Sequence, residues 1–522
     1  MVLKTVIRRG EYYDSGRLMI VTRTISKLEG IIDAAVQMGT ALNKEALKRT
    51  GLLDKDSEGA SVDDLMISMK GTGEGVESAL VQLDALLNQS SSGLQDSEYR
   101  PKTIDSALKA EPGLNFAIIS VPGRFAKNEA MKALQKGMHV LLFSDNVSIE
   151  EEKELKTFAV SHGLLLMGPD CGTAIINNVP LGFANKVRQG NIGVVGAAGT
   201  GMQEVMTLIH KHGAGISQAI GTGGRDLSVT IGGAMMLQGL KALNSDKNTD
   251  IIVVISKPPA PEVSDKILQF IKDECRKTIV VNFVGGGRPE SIEACGAISA
   301  STLEEAALRA SELAGHANGA PRMAEEDLDR IARDEAKRLN AGQKYLRGLY
   351  SGGTLCYESM LIVRDFVGDV YSNTPLNKQM KLLDFAAPCK HTCLDLGDDE
   401  FTAGRAHPML DTTLREQLFE HEASDPNVAV ILLDIVIGYG SHSDPAGVFA
   451  DLVRKHKENA RREGRHLIVI SSVCGTEEDP QNSLTQERKL QETGVIVMPS
   501  NAAAARLAGK IVSYANSEER RL

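Results

Sequence analysis

A multi-domain α/β fold is the architecture the sequence predicts, and three observations predict it. Short apolar runs alternate almost throughout with stretches of helical periodicity, the rhythm of strands joined by crossover helices. Several runs, such as 428–436, are apolar at nearly every position, which suits strands covered on both faces of a parallel sheet. The chain is 522 residues long, 42% hydrophobic and 24% charged, which is material for roughly three or four domains.

Element by element, 3–9, 32–38 and 63–70 read as strands, and 14–28, 41–50 and 75–88 as helices. Together they make a small α/β (ferredoxin-like) domain over 1–88. Residues 88–101 are polar and turn-rich, the clearest linker in the chain. From 103 a doubly wound pattern begins, with strands at 115–121, 138–143 and 163–167. Each ends in a loop of turn residues: Pro122-Gly123-Arg124, Ser144-Asp145-Asn146 and Gly168-Pro169-Asp170-Cys171-Gly172. Ligands of open α/β sheets sit at such carboxyl ends, so these loops form a candidate crevice. A third unit covers 190–314, with further strands at 251–256 and 278–284. Residues 315–343 read as a helical connector. A fourth unit, 345–515, has strands near 346–351, 391–396, 428–436, 467–473 and 494–498.

One strand-turn-helix unit occurs in each half. Residues 191–196 run into Ala197-Ala198-Gly199-Thr200-Gly201, and 430–440 run into Ser441-His442-Ser443-Asp444-Pro445. In each, a buried strand empties into a glycine turn and a helix whose first N–H groups are free to meet an anion. Two such ends converging would hold a phosphate or a carboxylate from both sides.

Composition narrows the function. A net charge of -10 argues against nonspecific nucleic-acid or membrane-surface binding, and the absence of Trp with 4% aromatics argues against base-stacking platforms. No stretch has the apolar length of a membrane span, and the opening residues do not read as a secretory signal, so a cytoplasmic protein is expected. Seven scattered cysteines form no disulfide framework, and no zinc-like spacing appears, so no metal is expected. Asp398-Asp399-Glu400 reads either as a hard-oxygen cation site or, more simply, as a solvated acidic turn.

Several strings carry a family resemblance. Val121-Pro122-Gly123-Arg124-Phe125, Gly168-Pro169-Asp170-Cys171-Gly172, Gly193-Val194-Val195 with Gly199-Thr200 and Glu204, and Gly221-Thr222-Gly223-Gly224 resemble the α subunit of succinyl-CoA synthetase in order and spacing. Ser351-Gly352-Gly353-Thr354-Leu355, Leu394-Asp395-Leu396-Gly397 and the unit at 428–447 are similar to the carboxy-terminal domain of its β subunit. With Phe143-Ser144-Asp145-Asn146-Val147, Ser256-Lys257-Pro258-Pro259 and Gly404-Arg405-Ala406-His407-Pro408-Met409, the whole chain resembles the FdrA family. The resemblance implies a Rossmann-like CoA-binding-type domain over 103–188 and two flavodoxin-like, succinyl-CoA synthetase-like ligase domains over 190–314 and 345–515.

Two departures limit what is carried over. Where the synthetases have the histidine that is transiently phosphorylated, this chain reads Glu293-Ala294-Cys295-Gly296-Ala297. The synthetase's ATP-grasp domain is missing between the halves, and no phosphate loop replaces it, so no intrinsic ATP site is expected. Members of the FdrA family are implied to be one subunit of a multi-subunit carbamoyltransferase that splits a ureido acid such as oxalurate with phosphate, giving oxamate and carbamoyl phosphate. Partner subunits of a hetero-oligomer and self-association follow from that implication. Two rivals remain open: an ADP-forming acyl-CoA synthetase subunit binding coenzyme A, with the ATP chemistry on another chain, and a noncatalytic scaffold.

The candidate residues follow. Gly199, Thr200, Gly201, Gly440 and Ser441 would cradle an acyl or carbamoyl phosphate through backbone N–H groups. Gly223 and Gly224 would let backbone approach a ligand, with Arg225 supplying charge. Arg405 and His407 stand in a polar loop, where a guanidinium would grip a carboxylate or make a surface ion pair. Glu204 reads as an acid or base beside the anion, or as a first-turn glutamate favoured by the helix dipole. His442 reads as an acid, base or phosphate ligand, or as a histidine among capping residues with no chemical task. Pro122, Arg124, Asn146, Pro169 and Cys171 line the crevice expected of a CoA-type cofactor.

Overall fold

Alternation in the sequence becomes four sheets in the computed structural model, which describes residues 2–11, 13, 15–26, 28–40, 43–44, 47–48, 51–88, 101–316, 323–385, 390–402 and 406–517. One compact unit comprises Met1–Arg100 with Asp399–Ala406, and a second comprises Pro101–Asp398 with His407–Leu522.

In the first unit, β1 (Val2–Arg8), β2 (Ile31–Met38) and β3 (Leu65–Gly71) pair antiparallel in the order β1-β3-β2. The central β3 is buried along nearly its whole length. Helices Ser15–Ser26 and Gly73–Asn88 set Leu18, Val21, Ile25, Val76 and Leu83 against Val36 and Ile67, the apolar stripe that helical spacing puts on one face. The expected helix at 41–50 and linker at 88–101 lie largely outside the described residues.

In the second unit, β4 (Phe116–Ile119), β5 (His139–Leu142) and β6 (Leu166–Met167) form a three-stranded parallel sheet. A seven-stranded sheet follows, built of β7 (Thr173–Ile176), β8 (Val179–Gly182), β9 (Gln189–Gly196), β10 (Ile216–Gly221), β11 (Ile251–Ser256), β12 (Thr278–Phe283) and β13 (Ile298–Ser299), in the order β13-β12-β11-β9-β10-β7-β8. The boundary expected near residue 189 therefore shifts. The β7–β8 hairpin, which turns on Asn177 and Asn178 at φ 50° and 63°, pairs antiparallel with β10 and belongs to the larger sheet. Two adjacent positive-φ residues give the turn whose twist matches its strands.

The five-stranded parallel sheet has the order β15-β14-β16-β17-β18, with β14 (Tyr345–Tyr350), β15 (Thr392–Asp395), β16 (Val428–Val436), β17 (Ile468–Cys474) and β18 (Ile496–Met498). Central β16 is buried at every position, as its unbroken apolar run predicts. The two larger sheets share one core. Met202, Val205 and Ile209 of helix Gly199–Lys211 pack in the same cluster as Leu355 and Met360 of Gly353–Val367 and as Ala504, Leu507 and Ile511 of Asn501–Asn516. Each such fully buried large side chain contributes about 1.5–3 kcal/mol. No helix among the described residues is long and apolar enough to cross a membrane.

Candidate functional site

The open helix start lies at the carboxyl end of β9. Helix Gly199–Lys211 has Ala198 at its N-cap with no side-chain cap. Met202 N–H donates to Ala198 C=O at 2.8 Å, and no described protein group accepts from the N–H of Gly199, Thr200 or Gly201. Glycine is required at 201 for a packing reason: a Cβ there would sit 2.8 Å from Thr354 Cγ2. A Cβ on Gly352 would likewise lie 3.0 Å from the Thr200 side chain. The helix start that meets Gly199–Lys211 is thus the one at Gly352-Gly353, whose N-cap also lacks a side-chain cap.

Asp434 builds that second turn. Its fully buried carboxylate accepts from Ser351 N–H at 2.9 Å, Gly352 N–H at 2.8 Å and Ser351 Oγ at 3.1 Å, and it pairs with buried Arg415 at 2.7 Å. Beside the turn, Asp395 Oδ2 would be 2.4 Å from a Cβ on Gly353. Burial raises the Asp395 carboxyl to about 6, with Lys257 acting the other way. A Cβ on Gly397 would meet His407 Nε2 at 2.8 Å. His407 Nδ1 accepts from Met409 N–H at 3.2 Å, so Nε2 carries the proton of the neutral ring. Burial lowers this imidazole to about 4, which keeps it a neutral donor at pH 7.

The expected helix start at Gly440 and Ser441 is corrected by the structure. The helix begins at Pro445 with Asp444 as its cap, and its first N–H groups are already taken: Gly447 donates to Asp444 Oδ1 at 3.1 Å and Ala446 to Gln486 Oε1 at 2.9 Å. Gly440 faces Phe183, whose ring would lie 3.0 Å from a Cβ there. The Phe183 ring is also 5.5 Å from His407 and 5.4 Å from Phe143. Phe183 C=O accepts from Thr173 Oγ1 at 2.8 Å, and that hydroxyl lies 3.4 Å from where a Gly199 Cβ would be. Phe183 and Thr173 therefore span the space between the Gly440 turn and the Gly199 start. Ser441 Oγ is a buried polar atom with no hydrogen-bond partner among the described residues. His442 sits in the loop, donating its N–H to Met409 C=O at 2.7 Å and accepting from Asp444 N–H through Nδ1 at 3.1 Å. Arg405 lies outside the described residues.

Glu204 is also corrected. It lies beyond the first helical turn and is 2% exposed, and its Oε1 accepts from Asn501 N–H at 2.9 Å. It anchors the start of the Asn501–Asn516 helix and is not turned to the anion. Burial raises its carboxyl, opposed by the Asn501 N–H. Glu358 shares the seam, accepting from Leu303 N–H and Asn501 Nδ2, each at 2.8 Å, and burial raises it from 4.5 to about 7. Because the fold favours the protonated form, this group's stabilisation is complete below pH 4.5 and is lost as pH rises through 7. The loss is on the order of 3 kcal/mol. Denaturant unfolding at pH 5 and pH 8 should show Glu358→Gln flattening that decline. An unchanged slope would refute the assignment.

The crevice residues divide. Pro122 is the N-cap of helix Gly123–Gln135, and Gly123 packs so closely on the 145–146 backbone that a Cβ would be 2.4 Å from Asp145 C=O. Arg124 lies over the exposed Phe125 ring at 4.7 Å, and Asn146 is exposed at φ 53°. These three fit the approach of a ligand. Cys171 does not: it is 4% exposed, burial pushes its thiol up to about 12, and it packs against Gly221. Gly223, at φ 85°, is pressed on Pro169, whose C=O would be 2.5 Å from a Cβ. Arg225 donates to Val147 C=O at 2.7 Å and pairs with Glu152 at 2.9 Å. Gly223 and Arg225 thus fasten the seven-stranded sheet to the crevice loops, and the Arg225 charge is already matched. Gly224 is open, with no atom within 4 Å of a Cβ.

Asp399 and Glu400 open a short helix, Asp399–Thr402, and are in no cation-type cluster. Among the described residues, His210 with Glu477 and Glu478 is the group whose ligand atoms lie close enough for an ion. His210 Nδ1 accepts from Arg188 N–H at 2.9 Å, so Nε2 carries the proton and faces Glu477 Oε1 at 2.9 Å. That is a hydrogen bond, with no lone pair left for a metal.

Residues 349–511 match the model of the CoA-ligase family, 187–285 that of the CoA binding domain, and 1–102 that of the AllF, heavy metal-associated domain. YahF of Escherichia coli K12, an uncharacterized protein, is 45% identical over 520 residues, covering 98% of this chain and 99% of that protein. The chain belongs to the YahF family. The succinate–CoA ligase [ADP-forming] α subunit of Staphylococcus epidermidis RP62A is 28% identical over 191 residues, 35% of this chain and 60% of that subunit. Among solved structures, ATP citrate lyase from Methanothrix soehngenii in complex with citrate and coenzyme A is 15% identical at a TM-score of 0.35, covering 43% of this chain and 42% of that one. PH0766 from Pyrococcus horikoshii OT3 is 14% identical at 0.33, covering 81% and 89%.

Two features of this YahF-family chain bear on the matches. The CoA-binding match covers the seven-stranded sheet from β9 to β12, whereas the family resemblance implies 103–188 for that role. The heavy metal-associated match contains neither Cys nor His, so it has no thiolate or imidazole to hold such ions. Sequence reasoning missed Asp395, Asp434 and the Gly352-Gly353 start as site residues, although all lie in or beside strings that carried the family resemblance.

Proposed function

We propose that the chain is a subunit of an FdrA-type transferase that forms or uses a carbamoyl or acyl phosphate, working with partner subunits in the cytoplasm. One observation carries the reading. The Gly199–Gly201 start offers N–H groups that no described group accepts from, and by the synthetase resemblance Ala294 stands where the phosphorylated histidine would be. A site that binds a phosphoryl dianion without a histidine nucleophile suits direct attack by phosphate. In that reaction a phosphate oxygen bonds to the carbamoyl carbon of a ureido acid, the carbon–nitrogen bond breaks, and the departing amide nitrogen takes the proton that the phosphate gives up. Asp395, titrating near 6, is the group beside the site suited to moving that proton.

Calorimetric titration of the chain with carbamoyl phosphate and, separately, with coenzyme A at equal protein and salt concentrations tests the reading. Carbamoyl phosphate should saturate the wild type. Gly199→Leu should abolish that binding while shifting stability by less than about 0.5 kcal/mol, because among the described residues beyond its own helix only Thr173 Oγ1, at 3.4 Å, lies within 4 Å of a Cβ there. Equal affinity in both proteins would end the proposal. Coenzyme A binding alone would favour the second reading, an acyl-CoA ligase subunit, which rests on the CoA-ligase and CoA-binding matches. Arg124 and Asn146 would then hold the cofactor.

A further inference from the structure

At the amino-terminal ends of β17 and β18, on the edge of the five-stranded sheet opposite the Ser351-Gly352 turn, lies a cavity of about 130 Å³ lined by Glu335, Arg338, Lys457, Arg461, His466 and the backbone around Gly494. The charge there is unbalanced. Its one carboxylate, Glu335, is shared between His466 Nε2 at 2.7 Å and Arg338 at 2.8 Å. Lys457 gives its ammonium to Gly494 C=O. The Arg461 side chain lines the cavity, and its guanidinium has no hydrogen bond or ion pair to any described group. Burial lowers the Lys457 ammonium to about 8, with Glu335 opposing that shift and Arg461 and Arg338 reinforcing it. Cations held together against their own repulsion and desolvation are matched by a ligand of opposite charge.

We infer that this cavity is a second anion site, in which Lys457, Arg461 and Arg338 receive a small divalent oxyanion of phosphate or dicarboxylate size. A guanidinium can take two oxygens of such an ion while the ammonium takes a third. The inference is independent of the reading given for the Gly199 start, since no residue is shared and the two places lie at opposite ends of their strands.

The test follows Lys457 itself. The full chain is acetylated with a limiting amine-reactive ester at pH 8, and modification of Lys457 is quantified by peptide mass with inorganic phosphate, with malonate, or with neither. Phosphate or malonate should protect Lys457 in the wild type and in Gly199→Leu, and whichever protects at lower concentration identifies the class of oxyanion. Arg461→Ala, at an exposed position that leaves the fold intact, should weaken protection by roughly tenfold or more, and Arg461→Lys should restore part of it. Absence of protection by either anion, or protection equal in Arg461→Ala and wild type, would overturn the inference. Protection that survives in Gly199→Leu, where carbamoyl phosphate binding is tested separately, keeps a failure at one site distinct from a failure at the other.

Discussion

Lys156→Met is expected to lower the unfolding free energy by about 3–5 kcal/mol, the range for removing one partner of a buried ion network. Lys156 is 1% exposed, and its ammonium reaches Glu152 Oε1 and Asp226 Oδ1, each at 2.8 Å, and Thr222 C=O at 2.9 Å. Methionine fills the space but leaves two carboxylates buried, with Arg225 reaching Glu152 alone. Asp226 has a further task, accepting from Met235 N–H at 3.1 Å and Met236 N–H at 2.8 Å at the start of helix Ala234–Ser245. Equilibrium denaturation would measure the loss. Arg454→Ala, which removes an exposed pair with Asp451, serves as the control and should cost no more than about 0.5 kcal/mol. A Lys156→Met protein as stable as that control would show that the network does not hold the crevice loops.

Asp434→Ala should be comparably damaging, at about 3–5 kcal/mol, and should also abolish anion binding. The substitution strips the partner from Arg415, which is 2% exposed, and leaves the Ser351 and Gly352 N–H groups unpaired in the interior, each costing about 1–3 kcal/mol if nothing replaces the bond. Surrounding groups would relax, so these terms do not add in full. The distinguishing result is the combination: a lowered denaturation midpoint together with lost carbamoyl phosphate binding, where Gly199→Leu loses binding alone. Normal binding at reduced stability would place Asp434 in the scaffold only.

Most of the architecture was legible because buried parallel strands announce themselves. The runs at 251–256 and 428–436 coincide with strands buried at every residue. The β7–β8 hairpin is short and has no helix between its strands to set it apart, and Asn177-Asn178 between two short apolar runs is its local signal. The site was less legible. A strand ending in glycine marks a turn, but whether the next N–H groups are free depends on residues distant in the chain. Gln486 reaches Ala446 and so closes the Pro445 start, and nothing local to 440–445 announces it. Glu204 illustrates the same limit, since its partner Asn501 is 297 positions away.

The final helix has a meaning for how the chain can be divided. Asn501–Asn516 begins on Glu204 from one half and Glu358 from the other, and its apolar face belongs to the core that both larger sheets share. A cut between 316 and 323 would therefore not release two modules. Each piece would keep an apolar face cut for the other, and neither would hold both glutamates, so the halves should be insoluble when made singly and recover only when made together. The two halves are one indivisible piece of material.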